Sequence, residues 1–502
     1  MTVTRQVGRP HVHLWTSTGA HYDLSGDVVN FNASKPLDAP AGTWSVTLQP
    51  RQGEVPTADV RRLAALYQAV SPNDVVSLGF DRPGGIMVGL VDAIEKSRDT
   101  SGPQVAQQLT IRGRDLGKMF VQDDLMHASV TVDTMPEFRR KVAAALGDTH
   151  PMLIDLQATW GPESHDGTPT SIGAGITELM DFLIDHAGSI ELPALAAATG
   201  TSGKLKDVIG TALSITSWDE DTIYSDRPVF YQGSLWGFLW SVLDRDFYEA
   251  RVDCKPSSFA GYPVPTVHLV IRPKPFDEAG ANFAPTKGAA PGIGWDDLRT
   301  FTTGASYHEI PEHKILAVSL GVSDGEARSV YILTADHDLM GNPGSMAEGL
   351  YYPLVDTFSA RRFGVKAMQS TISLVSGDFA DKASRDEADI GLVSEEVRSK
   401  RNRLFNWYRP LPWFENGSVR TPGSDDYRPG DRVFLPDEYA KHSNDKGIHA
   451  YCAGVSWDWT FGGMYASTLA LQRGHNSGTL DALREAVSED APAENPSHYA
   501  ET

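Results

Sequence analysis

Apolar and polar positions alternate at both ends of this chain. Tyr451, Ala453, Val455, Trp457 and Trp459 alternate with Cys452, Gly454, Ser456 and Asp458, the period-2 pattern of a half-buried strand. Phe461-Gly462-Gly463 supplies a turn whose glycines accept positive φ. The return strand then places Tyr465, Ser467, Leu469 and Leu471 on one face, which predicts a β-hairpin. Residues 11 to about 125 also read as mostly β, with strands predicted over 11–16, 28–33, 43–49, 75–80, 86–94 and 107–113 between turns rich in Gly, Pro and Asp. Strands so short and so spaced predict a barrel or sandwich. One helix, 57–69, interrupts them, with Thr57 as its N-cap and Val60, Leu63, Leu66 and Tyr67 on one face.

From about 133 to 250 the period becomes helical. Segments 135–146, 176–186 and 234–246 carry apolar residues at i, i+3, i+4 spacing, as in Leu179, Phe182 and Leu183 or Leu235, Phe238 and Leu239. Between them, 195–203 is an Ala-, Thr- and Gly-rich loop. Strands return over 264–274 and 314–335, where 315–320 and 329–334 are predicted to pair, and 287–294 is a Gly-, Ala- and Pro-rich linker. Segment 394–408 reads as a helix, with Ser394, Glu395 and Glu396 suiting the positive end of its dipole and Arg401 and Arg403 near the other end. The polar, Pro-containing tail from about Asp490 predicts disorder. No internal repeat is visible.

The 502 residues suffice for two to four domains, and 41% apolar residues with a mean hydropathy of −0.28 fit a soluble globular protein. No apolar segment of signal-peptide or membrane-spanning length occurs, so the product is expected to stay in the cytoplasm where it is made. Cys254 and Cys452 are the only cysteines and read as buried thiols, not a disulfide framework. Forty-four Lys and Arg against 65 Asp and Glu give a net charge of −21, which argues against a protein that grips nucleic acid. The excess serves solubility or a surface from which DNA must slip free.

Several fragments imitate catalytic or ligand-binding motifs. Thr199 to Lys204 resembles a phosphate loop, but Ala198 stands where the first glycine belongs and Leu205 replaces the Mg²⁺-holding hydroxyl. Asp336, Asp338 and Gly341 imitate a calcium loop, yet Met340 takes a ligand position and Ala347 stands in place of the bidentate Glu. His11 and His13 share a strand face and could ligate a metal with a third group; a surface or interface pair is the better reading. The acidic run Asp219-Glu220-Asp221 is read as a solvated loop, since a glycosidase needs two carboxylates set across a cleft. Trp407, Trp413, Trp457 and Trp459 could form a sugar platform but fit a core or subunit interface better. No catalytic, cofactor-binding or metal-ligating residue is assigned, and no enzyme activity is expected.

Two groups of motifs carry a resemblance. Pro429-Gly-Asp-Arg-Val433, then Val455-Ser-Trp-Asp-Trp-Thr-Phe-Gly-Gly463, then Thr468-Leu-x-Leu-x-Arg-Gly474 resemble the C-terminal barrel of phage tail baseplate hub proteins, a family also found in related contractile injection systems. Leu24-Ser-Gly-Asp-Val28, Gly89-Leu-Val-Asp92 and Ile111-Arg-Gly-Arg-Asp-Leu-Gly117, taken in order, resemble that family's amino-terminal barrel. The helix 394–408, ending Asn406-Trp-Tyr before the last strands, is similar to the family as well.

The resemblance implies a mainly β fold with α/β insertions: a tube-like β-barrel over 1–130, a helical and mixed insertion over 131–300, a second barrel region over 301–480 and a polar tail over 481–502. It implies a homotrimer whose six barrels ring a channel, adapting a hexameric tail tube to a trimeric central spike. Three copies would carry three times −21, or −63, and a lumen of that sign would let DNA slide past without specific binding. Implied partners are the tail tube or distal tail protein ring, the spike, the tape measure protein and baseplate wedge proteins, in a virion assembled in the host cytoplasm. The alternatives are an envelope-degrading or carbohydrate-binding tail protein, and the hub of a phage-derived toxin injection system.

Overall fold

The structure, a computed structural model, describes residues 8–37, 39–49, 56–99, 106–122, 124–125, 209–213, 223–225, 233–242, 245–246, 248–255, 266–273, 307–335, 354–372, 374–376, 407–409, 411–436 and 447–475, with a few single positions between them. The first part of the chain forms β1 (His11–Trp15), β2 (His21–Asp23), β3 (Val28–Pro36), β4 (Thr43–Leu48), helix α1 (Pro56–Ala69), β5 (Val75–Gly79), β6 (Met87–Asp99), β7 (Ala106–Asp115) and helix α2 (Lys118–Gln122). The middle contributes β8 (Asp124–Leu125), β9 (Ile209–Leu213), β10 (Ile223–Ser225), β11 (Gly233–Ser234), helix α3 (Leu235–Val242), β12 (Tyr248–Lys255) and β13 (Thr266–Pro273). The last part adds β14 (Tyr307–Glu309), β15 (Ala317–Gly321), β16 (Val330–Ala335), β17 (Leu354–Val355), helix α4 (Thr357–Phe363), β18 (Ala367–Ile372) and β19 (Leu374–Ser376). The chain then returns through β20 (Glu415–Pro422), β21 (Arg432–Leu435), β22 (Ile448–Thr460) and β23 (Ala466–His475).

Both ends of the chain enter one thirteen-stranded sheet, ordered β15-β20-β23-β22-β3-β4-β7-β6-β5-β1-β2, with β21 on β22 and β14 on β21. It curls as a half-barrel and is antiparallel except at β14–β21. The two terminal regions, expected as separate barrels, are thus hydrogen-bonded side by side where β3 meets β22, from Asn30↔Thr460 to Pro36↔Gly454. Strand β22 is long enough to branch. On the side away from β23 it takes β21 along Ile448–Tyr451 and β3 from Gly454 onward. The small sheets are β12-β13-β9, β17-β16-β18, β10-β19 and β11-β8.

Alternation explains one face of this sheet. Phe31, Ala33, Val46, Leu48, Ile111, Val419, Trp457, Trp459 and Leu469 are buried in one core drawn from both halves, onto which α1 lays Leu63 and Leu66 and the residue after it adds Val70. Phe80 of the first half stacks on Tyr465 of the second, ring centroids 3.8 Å apart. Trp457 is 0% exposed, and its indole N–H donates to the Ser424 carbonyl at 2.9 Å. Burying such a ring contributes about 3 kcal/mol from apolar area alone.

Several details depart from the sequence pattern for identifiable reasons. The alternation in β22 slips at a bulge between Cys452 and Gly454, so Ile448, Ala450 and Cys452 face the core before it and Val455, Trp457 and Trp459 after it. Tyr451 therefore points away from that core, against the predicted shared face. In α1, Pro56 is already helical, so Thr57 lies inside the helix. Tyr67 is 42% exposed, and Val70 takes the core position instead.

Segments 315–320 and 329–334 do not pair. β15 joins β20 in the main sheet, whereas β16 pairs with β17 and, in parallel, with β18. Tertiary pairing overrides the sequence proximity that suggested a hairpin. Helix α3 stops at Val242, short of the predicted 246, and β2, β12, β18 and β19 carry no clear period in sequence.

Of the predicted helix 135–146 only Lys141 and Ala144 are described, and both are helical. In 394–408, Arg401, Leu404, Phe405, Trp407 and Tyr408 are helical and the remainder lies outside the described residues. Segments 176–186, 287–294 and the tail from 490 lie outside them entirely, and of 195–203 only Ala196, which is helical, is described.

Candidate functional site: a polar seam and an open, edge-bounded sheet

Where the two halves join, buried polar groups reinforce the backbone ladder. Asp425, 0% exposed, lies in the loop after β20; one carboxylate oxygen accepts the amides of Phe80, Asp81 and Arg82 at 2.8, 2.8 and 3.2 Å. The other oxygen accepts the Tyr465 hydroxyl at 2.6 Å. Burial first, and the neighbouring carboxylate second, push the Tyr465 pKa upward, which keeps that hydroxyl protonated and donating. The amides belong to the β5–β6 loop, whose approach requires glycine: a Cβ on Gly85 would lie 2.4 Å from the Asp425 carboxylate.

Arg428 extends the seam. It donates to the carbonyls of Gly85 at 2.7 Å, Asp425 at 2.5 Å and Tyr427 at 2.8 Å, and its Nε lies 3.0 Å from Asp253 of β12. Its own amide donates to Asp431 Oδ2, which also meets His308 Nε2 at 2.9 Å. Residues 428–432 thus turn the chain onto β22, with Gly430 N donating to Cys452 O and Cys452 N to Asp431 O.

The motifs of the first half act in the same way. Asp92 bonds Arg114 through Nε at 2.8 Å and Nη2 at 3.3 Å, and Lys118 at 2.7 Å. Burial raises the Asp92 carboxyl, but these two cations outweigh it and leave it below the ordinary value. Gly113 admits no side chain, because a Cβ there would sit 2.0 Å from the Leu90 carbonyl.

Behind the sheet, Lys35, Asp115, Glu249, Arg251 and Asp253 form a buried ionic cluster with N···O distances of 3.6–3.9 Å, and Tyr451 donates its hydroxyl to Glu249. Desolvation lifts the Asp115 pKa to about 6 despite Lys35. The bulge that turned Tyr451 away from the core brings it to this cluster.

The other face of the main sheet is open. From β6 to β15 it presents small polar residues, among them Thr47, Asn32, Ser456, Thr468 and Ser418, together with three ion pairs: Arg112–Glu95 at 2.8 Å, Arg114–Asp92 at 2.8 Å and Arg420–Asp458 at 2.6 Å. The strand order ends at β15, whose residues are exposed or half-buried, at β2 beside β1, and on the β21 branch at β14.

The predicted histidine face lies at the β1–β2 end. His13 Nδ1 meets His21 Nε2 at 3.3 Å beside Trp15, and desolvation lowers the His13 pKa. Among the described residues no group of three or more His, Cys, Asp or Glu could hold a metal. Cys452 is a free, buried thiol whose pKa burial pushes up; the side chain of Cys254 lies outside the described residues. The phosphate-loop-like, acidic-run and calcium-loop-like fragments lie outside them as well, apart from the strand residues preceding Asp336.

The four tryptophans separate. Trp457 and Trp459 are core, Trp407 lies under the Arg473 guanidinium at 3.4 Å, and Trp413 stands half-buried beside Phe358, Phe363 and Arg362. The Asp425 staple and the paired open face were missed in sequence. Their only trace was the polar half of each strand's alternation and the Gly-Ser-Asp-Asp run at 423–426.

No protein-family model matches the chain, and no curated protein matches it. Among solved structures, its course is similar to a tail protein from Neisseria meningitidis MC58, with 10% identity and a TM-score of 0.44 over 94% of this chain and 99% of that one. It is also similar to the 43 kDa tail protein of prophage MuSo2 from Shewanella oneidensis, with 10% identity and a TM-score of 0.45 over 92% and 98%. The c3393 protein of E. coli, a type VI secretion system component described as similar to the T4 tail proteins gp27 and gp5, matches at 9% identity and a TM-score of 0.35 over 90% and 77%.

Proposed function

We propose that this chain is a structural component of a phage tail baseplate, the hub, in which three copies close edge to edge into a ring around a channel. One observation carries the reading: the chain's two ends build a single half-barrel sheet whose strand order begins at β15 and ends at β2. The edge strands of such a sheet are templates onto which another strand can add, and a repeated head-to-tail contact that closes would use both ends at once. Two barrel-like halves per copy give six around the ring, the number needed to adapt a hexameric tube to a trimeric spike.

The role is mechanical, not catalytic. On this reading the partners are the tail tube or distal tail ring, the spike, the tape measure and the wedge proteins, the place is the virion tail, and DNA passes through the ring. Native mass spectrometry with electron microscopy of the purified chain tests it. A trimeric ring with a central opening is expected; a monomer or closed dimer at assembly concentrations contradicts it.

A further inference from the structure

The open face of the sheet neutralises its own charge. The protein as a whole carries −21, yet this face from β6 to β15 places three arginines against three carboxylates, each arginine within hydrogen-bonding distance of its partner. The register surrounds them with small, uncharged neighbours: Ser45 lies opposite Arg112, Thr43 opposite Arg114, Asn32 opposite Asp458 and Thr468 opposite Arg420. A free arginine on such a surface would fork onto a phosphate.

We infer that Asp92, Glu95 and Asp458 hold Arg112, Arg114 and Arg420 away from a passing polyanion, so that the open face is a sliding surface for duplex DNA. This rests on the ring reading above, in which the open face lines the passage. Three copies would line it with nine arginines, and a duplex gripped by nine free guanidinium groups would be retained with a steep salt dependence. With each guanidinium engaged, the face offers hydroxyls, amides and spent charge. The acidic excess of the chain therefore lies elsewhere, and low retention comes from pairing instead of repulsion.

The test is the triple variant Asp92→Asn/Glu95→Gln/Asp458→Asn, with its oligomeric state measured first and a fluorescent linear DNA duplex as probe. Wild type should show no retention at low salt; the variant should bind at least about tenfold more tightly, with affinity falling steeply as salt rises. A control, Glu312→Gln/Asp324→Asn/Asp426→Asn, removes as many carboxylates from outside this face and should behave as wild type. Because Asp92 also partners the buried Lys118, the double variant Glu95→Gln/Asp458→Asn provides the same readout if the triple fails to fold. A ring that forms but gains no DNA binding over the control overturns the inference and leaves the ring reading intact. Wild-type retention of the duplex overturns it as well. A chain that never forms a ring overturns the ring reading first.

Discussion

The β3–β22 junction and the outer side of β15 are both places where a sheet of one chain could have ended. At the junction the chain supplies its own partner strand and adds a buried carboxylate with four donors, an arginine bonded to three carbonyls, and the Phe80–Tyr465 stack. At β15 no further strand pairs with it among the described residues: the strand is short and its residues are exposed or half-buried. An internal contact formed once during folding can rest on fully desolvated polar groups. A strand that must accept another copy keeps its backbone free and its side chains small.

If the junction is the folding element and the edge the assembling one, mutations should separate the two. Asp425→Ala strips four donors, two of them fully buried, of their acceptor and should cost about 3–5 kcal/mol, read as a lowered urea midpoint. Its loss should unfold the sheet rather than merely dissociate a ring; normal stability would show that the seam is dispensable. Trp457→Ala opens the core shared by both halves and should also cost about 3–5 kcal/mol, whereas Asp458→Asn, on the open face, should cost under about 1 kcal/mol.

The buried Asp115 offers a pH handle on the cluster behind the sheet. Its folded pKa, about 6, stands above the ordinary 3.8, so the native state holds a proton that the unfolded chain has released. Its contribution to stability is therefore present at low pH and is lost as pH rises from about 4 through about 6. His475 acts in the opposite sense: burial lowers its pKa from 6.5 to about 3, so stability falls as pH drops through that window. Asp115→Asn should remove the first effect, and the stability difference from wild type should change by up to about 3 kcal/mol across pH 4–6. A difference that is flat with pH would show that Asp115 is not held protonated.

The smallest stability effect belongs to the edge. In an antiparallel pair adjacent amides point in opposite directions. Of Val318→Pro and Ser319→Pro, one breaks a bond to β20 and the other removes only an outward N–H. The outward variant should change monomer stability by under about 1 kcal/mol yet weaken ring formation at least about tenfold, measured by the concentration dependence of mass. Equal loss of folding in both would remove β15 from the assembly surface.

Much of the strand content was legible because alternation is local: each of the six predicted strands in 11–125 corresponds to one observed, and the Tyr465–Leu471 face is buried as the pattern requires. What was not legible was long-range. Nothing near Ala317 announces Arg420 as its neighbour, and a bulge at Cys452/Gly454 reverses a face that periodicity alone assigns to Tyr451. The motifs behind the resemblance proved to be structural staples. Asp92 and Arg114 bind each other, Gly113 allows a close approach, and Asp431 accepts the Arg428 amide and meets His308. Asp425, central to the seam, sits in an acidic turn that resembles any solvated loop until the amides it binds, more than 340 positions away, are in place.

The central claim, that this sheet is built to be completed by further copies of itself, is tested most directly by a cryo-EM map of the purified chain at assembly concentration. The account predicts a closed ring of three copies in which β15 of one adds to the β1–β2 edge of the next and the open face looks into the channel. A map with β15 facing solvent, or with the open face on the outside of the particle, would contradict it.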